Sequence, residues 1–157
     1  MMRDLRFAAV VAAAALTSLC GCATMGFAEP KIEETMFAES LGVDLAQSTK
    51  LENGEYIRDL VDGGGDGIKV GQVLSVRYTG WLVDGKQFDS NEGVGGKPFS
   101  FRYGNGEVIK GWDQGLDGMR GGGTRQLIIP PSLGYGFRGA GSVIPSNAIL
   151  VFNVTLP

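Results

Sequence analysis

Side chains that could act as nucleophiles, general bases or metal ligands are few in this chain, and their types limit the chemistry. The 157 residues include no histidine, and the only cysteines are Cys20 and Cys22. Without histidine there is no Ser-His-Asp or Cys-His pair and no ordinary catalytic zinc triad. The long segment after Cys22 also has neither a disulfide nor a thiolate nucleophile. Most hydrolytic mechanisms are therefore excluded.

The amino-terminal segment has the features of a secretory signal. Arg3 and Arg6 precede an apolar stretch over residues 7–19. That stretch is shorter than the about 20 residues that a membrane-spanning helix needs. We therefore predict a signal peptide over residues 1–21.

The segment Leu19-Cys20-Gly21-Cys22 resembles a lipobox, in which a cysteine after small residues receives a diacylglycerol and becomes the new amino terminus. Cys22 fits as the acceptor because Gly21 directly precedes it, whereas the bulky Leu19 precedes Cys20. The resemblance predicts a lipid anchor on Cys22 and a bacterial cell-envelope location facing the periplasm. The alternative is cleavage after a small residue such as Ala28, which would give a soluble periplasmic or secreted protein.

Charge and composition indicate one globular domain joined to the leader by a tether. The net charge is −3, and no Lys/Arg cluster offsets it, which disfavours nucleic-acid binding. Residues 22–50 are mildly acidic with only a weak helical spacing of apolar residues, so we predict a lipidated tether there with a helical turn or two. Residues 51–157 are long enough for one domain.

Strand-like patterns fill most of this domain. Residues 56–61 are rich in β-formers, and residues 72–83 alternate between apolar and polar positions before the hairpin signal Asp84-Gly85. Three further strands are predicted over residues 99–102, 127–129 and 149–156.

One segment of the domain has helical spacing, with apolar residues three and four apart at Val108, Ile109, Trp112, Leu116 and Met119. Gly111 and Gly115 weaken this helix, so it must be short and held by packing. A single helix cannot cover both faces of a sheet. We therefore predict an α+β fold, in which an antiparallel sheet of five to six strands wraps around one short helix and leaves its other face exposed to solvent.

Seven motifs in this region resemble the FK506-binding protein (FKBP) family, in its order and at nearly its spacing. They are Val76-Arg77-Tyr78-Thr79-Gly80, Asp84-Gly85-Lys86-Gln87-Phe88-Asp89-Ser90, Lys97-Pro98-Phe99, Glu107-Val108-Ile109-Lys110-Gly111-Trp112, Gly134-Tyr135-Gly136, Ile144-Pro145 and Leu150-Val151-Phe152. The resemblance covers residues 51–157 and implies an FKBP-type peptidyl-prolyl cis-trans isomerase domain.

The resemblance also implies a proline pocket with Trp112 as its floor and with Asp89 and the Tyr135 hydroxyl at its rim, and these three residues are the catalytic candidates. Further substrate-binding residues would be Tyr78, Phe88, Phe99, Val108, Ile109 and Phe152. Trp112, Phe99, Tyr78 and Phe152 would grip the pyrrolidine ring, while Phe88 and Ile109 would shape the mouth. The Tyr135 hydroxyl and the Ile109 N–H would donate hydrogen bonds to ligand carbonyls. Asp89 would interact with the peptide or with the Tyr78 hydroxyl.

The implied partners are proline-containing polypeptides, with macrolides such as tacrolimus or rapamycin as inhibitors. No metal or organic cofactor is implied, and we expect a monomer. Two stretches depart from the family's pattern. The loop over residues 91–96 is glycine-rich and slightly longer, which we expect to loosen the pocket wall. The flap over residues 137–143 lacks the histidine often found there, which leaves the peptide preference open.

Isomerisation is compatible with the absence of histidine because rotation about an X-Pro bond moves no proton and breaks no σ bond. An apolar site that strips water from the bond favours the less dipolar twisted amide. Two other function classes remain at this point. One is a catalytically weak FKBP-like binding or chaperone module for unfolded proteins, and the other is a purely structural lipoprotein.

Overall fold

Seven strands and one α-helix lie in the part of the chain that the computed structural model describes, residues 28–157. The strands are β1 (Thr49–Lys50), β2 (Tyr56–Val61), β3 (Val73–Leu82), β4 (Gln87–Ser90), β5 (Phe99–Arg102), β6 (Thr124–Ile129) and β7 (Leu150–Thr155), and the helix is α1 (Lys110–Gly115). Their order in the sheet is β1-β2-β6-β7-β3-β4, with β5 paired to β3 and every pairing antiparallel. Among these residues no helix is long and apolar enough to cross a bilayer.

The predicted α+β class, with an antiparallel sheet around one short helix, is confirmed. The sheet has seven strands instead of five to six. One added strand is β1, which is only two residues long. The other is β4, which returns along β3 after the turn at Asp84-Gly85 and forms the hairpin that those residues indicate.

Helix α1 lies on strand β6 at a distance that only glycine permits. A Cβ atom at Gly111 would lie 2.6 Å from Ile129 Cγ2, and one at Gly115 would lie 2.9 Å from Leu127 Cδ2. The two glycines that weaken the helix therefore allow its close packing against the sheet. The buried side chains of Trp112 and Leu116 consequently join the main hydrophobic core.

The outer face of the sheet is covered, and the expectation that it is solvent-exposed is wrong. Residues 29–50, here called the N-terminal strap, cross this face in three 3-10 turns, Ile32–Glu34, Glu39–Leu41 and Leu45–Gln47. The strap's Ile32 and Leu41 are buried against Ile128 and Val151, which form a second core cluster. The cover is needed because β6 and β7 carry apolar side chains on both faces.

Polar contacts fix the strap in place. Glu33 accepts hydrogen bonds from Lys50 and from the Tyr56 hydroxyl, the latter at 2.7 Å. The bond from Lys50 is the main cause that holds the pKa of Glu33 at about 2. The side-chain amide of Gln126 donates a 2.9 Å hydrogen bond to the Leu41 carbonyl. Residues 29–50 thus pack as part of the folded unit. The signal peptide and Cys22 lie outside the described residues.

Candidate active site

A concavity of about 470 Å³ opens between the sheet and the start of helix α1. Strands β3, β4, β5 and β7 supply its walls, and α1 lies below it. The structure brings all nine domain residues predicted for the site around this one concavity. They are Tyr78, Phe88, Asp89, Phe99, Val108, Ile109, Trp112, Tyr135 and Phe152.

Trp112 forms the floor and is only 4% exposed. Its indole meets the rings of Tyr78 and Phe152 edge-on, at centroid distances of 5.1 and 5.4 Å. Phe99 and Phe101 lie beside it at 6.3 and 5.7 Å. The indole Nε1 has no hydrogen-bond partner among the described residues, so packing against neighbouring side chains orients this ring.

The wall between β3 and β7 depends on a glycine. A Cβ atom at Gly80 would lie 2.5 Å from Phe152 Cε1 and 2.8 Å from Phe88 Cζ. Gly80 is the register partner of both Phe152 on β7 and Asp89 on β4. The missing side chain lets the Phe152 and Phe88 rings meet edge-on across β3 at 5.4 Å.

The rim carries a hydrogen-bonded pair. The Tyr78 hydroxyl donates to Asp89 Oδ2 at 2.7 Å, so the structure shows the second of the two partners expected for Asp89. Burial, and then the Asp89 carboxylate, raise the pKa of Tyr78 above its ordinary value. Burial and the same carboxylate also raise the pKa of Tyr135. Both hydroxyls therefore keep their protons at neutral pH and are able to donate hydrogen bonds.

Ile109 is the residue that caps the amino end of α1. Its backbone has φ −59° and ψ 149°, which is outside the helical region, and its carbonyl accepts the first helical hydrogen bond, from Trp112 N–H. The first N–H groups of a helix have no acceptor within the helix. The Ile109 amide at the edge of the concavity is therefore available to a ligand carbonyl.

Three residues at the site were not predicted. Glu107 lines the concavity, and its Oε2 accepts a 2.9 Å hydrogen bond from Arg102 N–H. Phe101 packs on the Trp112 indole, and Asn91 is hydrogen-bonded to β3 beside Tyr78. Glu107 stands in one of the seven motifs directly before Val108, so its position was a usable signal. No sequence signal pointed to Asn91.

Residues 28–157 contain no group of three or more acidic, cysteine or histidine side chains arranged to hold an ion.

Comparison with known proteins identifies the family. A family model described as FKBP-type peptidyl-prolyl cis-trans isomerase matches residues 64–157. This chain belongs to the FKBP family. An FK506-binding protein of Neisseria meningitidis serogroup A is 49% identical over 100 residues, which cover 64% of this chain and 91% of that protein. The family that the seven motifs resemble is thus confirmed.

Other FKBP relatives are much longer than the matched region. FK506-binding protein 4 of Rhizopus delemar is 56% identical over 108 residues, which are 69% of this chain but 28% of that protein. The chain therefore spans little more than a quarter of that relative's length.

Two crystal structures share the fold. AtFKBP13 superposes with a TM-score of 0.66 at 41% identity, covering 69% of this chain and 95% of that one. FkpA from Escherichia coli superposes with a TM-score of 0.65 at 36% identity, covering 75% of this chain and 53% of that one.

Proposed function

We propose that this protein accelerates the cis-trans isomerisation of X-Pro bonds in folding envelope or secreted proteins, by removing water from the bond in its aromatic pocket. The pocket is the concavity above Trp112. The observation that carries the proposal is that the buried indole lies under an open space of about 470 Å³ ringed by aromatic side chains.

The isomerisation needs no acid-base catalysis. Its barrier of about 18–20 kcal/mol arises from lost amide resonance, and no proton is transferred. The planar amide is more dipolar than the twisted one, so a dry site favours the transition state over the ground state. Two carboxylates line the pocket, and each already accepts a hydrogen bond. Asp89 accepts from the Tyr78 hydroxyl and Glu107 from the Arg102 N–H, which suits them to orientation instead of proton transfer.

Each pocket residue has a proposed role. The pyrrolidine ring lies on Trp112, held between Tyr78, Phe99 and Phe152. Phe88, Val108 and Ile109 shape the entrance. The Tyr135 hydroxyl and the Ile109 N–H hold the carbonyl oxygens beside the proline, which leaves the X-Pro bond free to rotate within fixed surroundings.

Macrolide binding follows from the same pocket. The relatives in Neisseria and Rhizopus are named for FK506 binding. We propose that tacrolimus or rapamycin enters this pocket and competes with proline-containing polypeptides. The protein works as a monomer and without a cofactor in this proposal.

A protease-coupled assay on a prolyl peptide tests the activity. The wild-type protein should raise the isomerisation rate, and tacrolimus should abolish the gain. A protein that binds unfolded polypeptide but gives no rate gain would be a binding or chaperone module and would contradict the proposal.

The location rests on the lipobox-like sequence. We propose that Cys22 carries a diacylglycerol that anchors the protein in the cell envelope, facing the periplasm. Metabolic labelling with a palmitate analogue should mark the wild type and leave Cys22→Ala unmarked. An unlabelled wild type would favour the soluble periplasmic or secreted form.

A further inference from the structure

Strand β3 pairs with two different strands along one of its edges. It pairs with β5 over Val73–Val76 and with β4 from Thr79 onward. Val76 and Tyr78 direct their backbone groups toward this edge, at the point where β5 ends and β4 begins. Without another partner, the Val76 carbonyl and the Tyr78 N–H would lack hydrogen bonds in this fork, which is costly in a partly buried place.

The side chain of Asn91 fills the fork. Its Oδ1 accepts a 2.7 Å hydrogen bond from Tyr78 N–H, and its Nδ2 donates to the Val76 carbonyl at 2.9 Å and to the Lys97 carbonyl at 3.1 Å. The Asn91 backbone N–H also donates to the Tyr78 carbonyl at 3.1 Å. A carboxamide offers one acceptor and two donors, so it acts here as an additional peptide group between the two strands.

These bonds connect two walls of the pocket. Tyr78 stands on one side of the fork, and Lys97 leads within two residues to Phe99 on the other side. The two rings meet edge-on at a centroid distance of 6.1 Å, and both contact Trp112. Asn91 itself is not among the residues that line the concavity.

The loop that begins at Asn91 is rich in glycine. Gly93, Gly95 and Gly96 lie within it, and Gly95 has a φ of 79°. A further hydrogen bond attaches this loop to β3, because Glu92 Oε2 accepts from Thr79 Oγ1 at 2.7 Å. The expected loosening of the wall by this glycine-rich loop is therefore opposed by bonds to β3.

We propose that Asn91 is a positioning residue of the isomerase site, whose carboxamide sets the separation of the Tyr78 and Phe99 rings above Trp112. The inference rests on the proposed isomerase function. It concerns the geometry of the walls, since Asn91 touches no substrate. Misplacing pocket walls by an ångström or less is enough to lower the rate of a positioned reaction severalfold or more.

Two variants test it. Asn91→Asp keeps the acceptor and nearly the same size but loses both donors, and Asn91→Ala loses all three side-chain bonds. We expect kcat on a prolyl peptide to fall about tenfold in both. KM should change by less than about threefold, because the apolar pocket still captures the ring. Rates are compared well below the melting temperature, so that each variant is folded.

The matched control is Asp44→Ala. In the wild type the Asp44 side chain accepts hydrogen bonds from the backbone N–H groups of Ala46 and Gln47, and the substitution removes both. These residues lie in the strap, on the other face of the sheet. This variant should lose stability and keep the wild-type kcat. Wild-type kcat in both Asn91 variants, or an equal loss in Asp44→Ala, would overturn the proposal.

A second readout does not depend on activity. The nuclear Overhauser effect between the Tyr78 and Phe99 ring protons should weaken in Asn91→Ala and persist in Asp44→Ala. An unchanged effect in Asn91→Ala would overturn the inference about Asn91. A wild-type protein without isomerase activity would instead refute the proposed function, and this ring-to-ring measurement would still decide the role of Asn91.

Discussion

The Tyr78 hydroxyl donates a 2.7 Å hydrogen bond to Asp89 Oδ2 and thereby joins β3 to β4 at the rim of the pocket. The contact fixes the tilt of the Tyr78 ring, which in turn meets the Trp112 indole edge-on at 5.1 Å. Asp89 therefore influences the pocket through Tyr78.

The first prediction is that Tyr78→Phe and Asp89→Asn act through one interaction. Each should lower kcat/KM by the loss of a charge-assisted hydrogen bond, about 1–3 kcal/mol. The double variant should lose no more than the worse single variant, which a double-mutant cycle measures. Additive losses would show that Asp89 contacts the peptide independently of Tyr78.

Tyr135→Phe should remove one donor to the ligand and leave the ring in place. We expect kcat/KM to fall by an amount equivalent to about 1 kcal/mol, with no change in melting temperature. The combined variant Asp89→Val/Tyr135→Phe should lose more than either change alone. If its turnover on a prolyl peptide equals that of the wild type, only hydrophobic capture remains as the mechanism.

Gly80→Ala should both destabilise the protein and distort the pocket. The added Cβ would lie 2.5 Å from Phe152 Cε1. Overpacking of this kind costs about 1–3 kcal/mol, which a urea titration would detect together with a lower kcat/KM. Gly64→Ala is the matched control, because a Cβ there meets nothing within 4 Å. A neutral Gly80→Ala would mean that the Phe152 and Phe88 rings have room to move.

The strap should be part of the cooperative folded unit. Leu41 is 7% exposed, and Leu41→Ala should reduce the free energy of unfolding by about 2–5 kcal/mol. Met36 lies in the same strap but is 91% exposed, so Met36→Ala should change the free energy of unfolding by less than about 0.5 kcal/mol. Equal, small effects would place the strap outside the cooperative unit.

Glu55 should make stability fall as the pH rises. Its side chain is fully buried, neither carboxyl oxygen has a hydrogen-bond partner among the described residues, and burial raises its pKa to about 8. Since the unfolded pKa is near 4.5, the folded state holds a proton that the unfolded state releases between these two values. The stability that protonated Glu55 contributes is therefore fully present below about pH 4.5 and is lost as the pH rises to about 8, by an amount on the order of 4–5 kcal/mol.

Glu55→Gln should flatten this pH dependence and be more stable than the wild type near pH 8, measured by urea midpoints across the range. Glu52→Gln, at an exposed position, serves as the control. Glu33 acts in a separate window, because its lowered pKa of about 2 contributes stability that is lost only as the pH falls below about 4.5. If the urea midpoint of the wild type does not change between pH 4.5 and about pH 8, Glu55 is hydrated or paired in solution.

Much of the domain's secondary structure can be predicted from the local pattern of apolar and polar residues. The alternation in residues 72–83 predicts β3 within a residue at each end, and the spacing around Trp112 predicts α1. The motif resemblance identifies the nine residues that the fold brings together, although their roles in catalysis stay predictions.

The strap and Asn91 could not be derived in the same way. The strap's buried Ile32 and Leu41 are separated by irregular 3-10 turns, so no helical or strand period marks them. An indirect signal existed, because Leu127-Ile128-Ile129 is a continuous apolar run, which is typical of a strand buried on both faces. The role of Asn91 depends on a fork between three strands, and that arrangement exists only once the chain has folded.

The position of β7 has a consequence for synthesis. Leu150–Thr155 comes last in sequence order among the described strands, yet it lies between β6 and β3 and joins the two halves of the sheet. Neither half can close on the other until residue 155 has left the ribosome, since the missing strand would leave two open edges. We therefore expect a polypeptide that stops before Leu150 to leave this sheet unassembled.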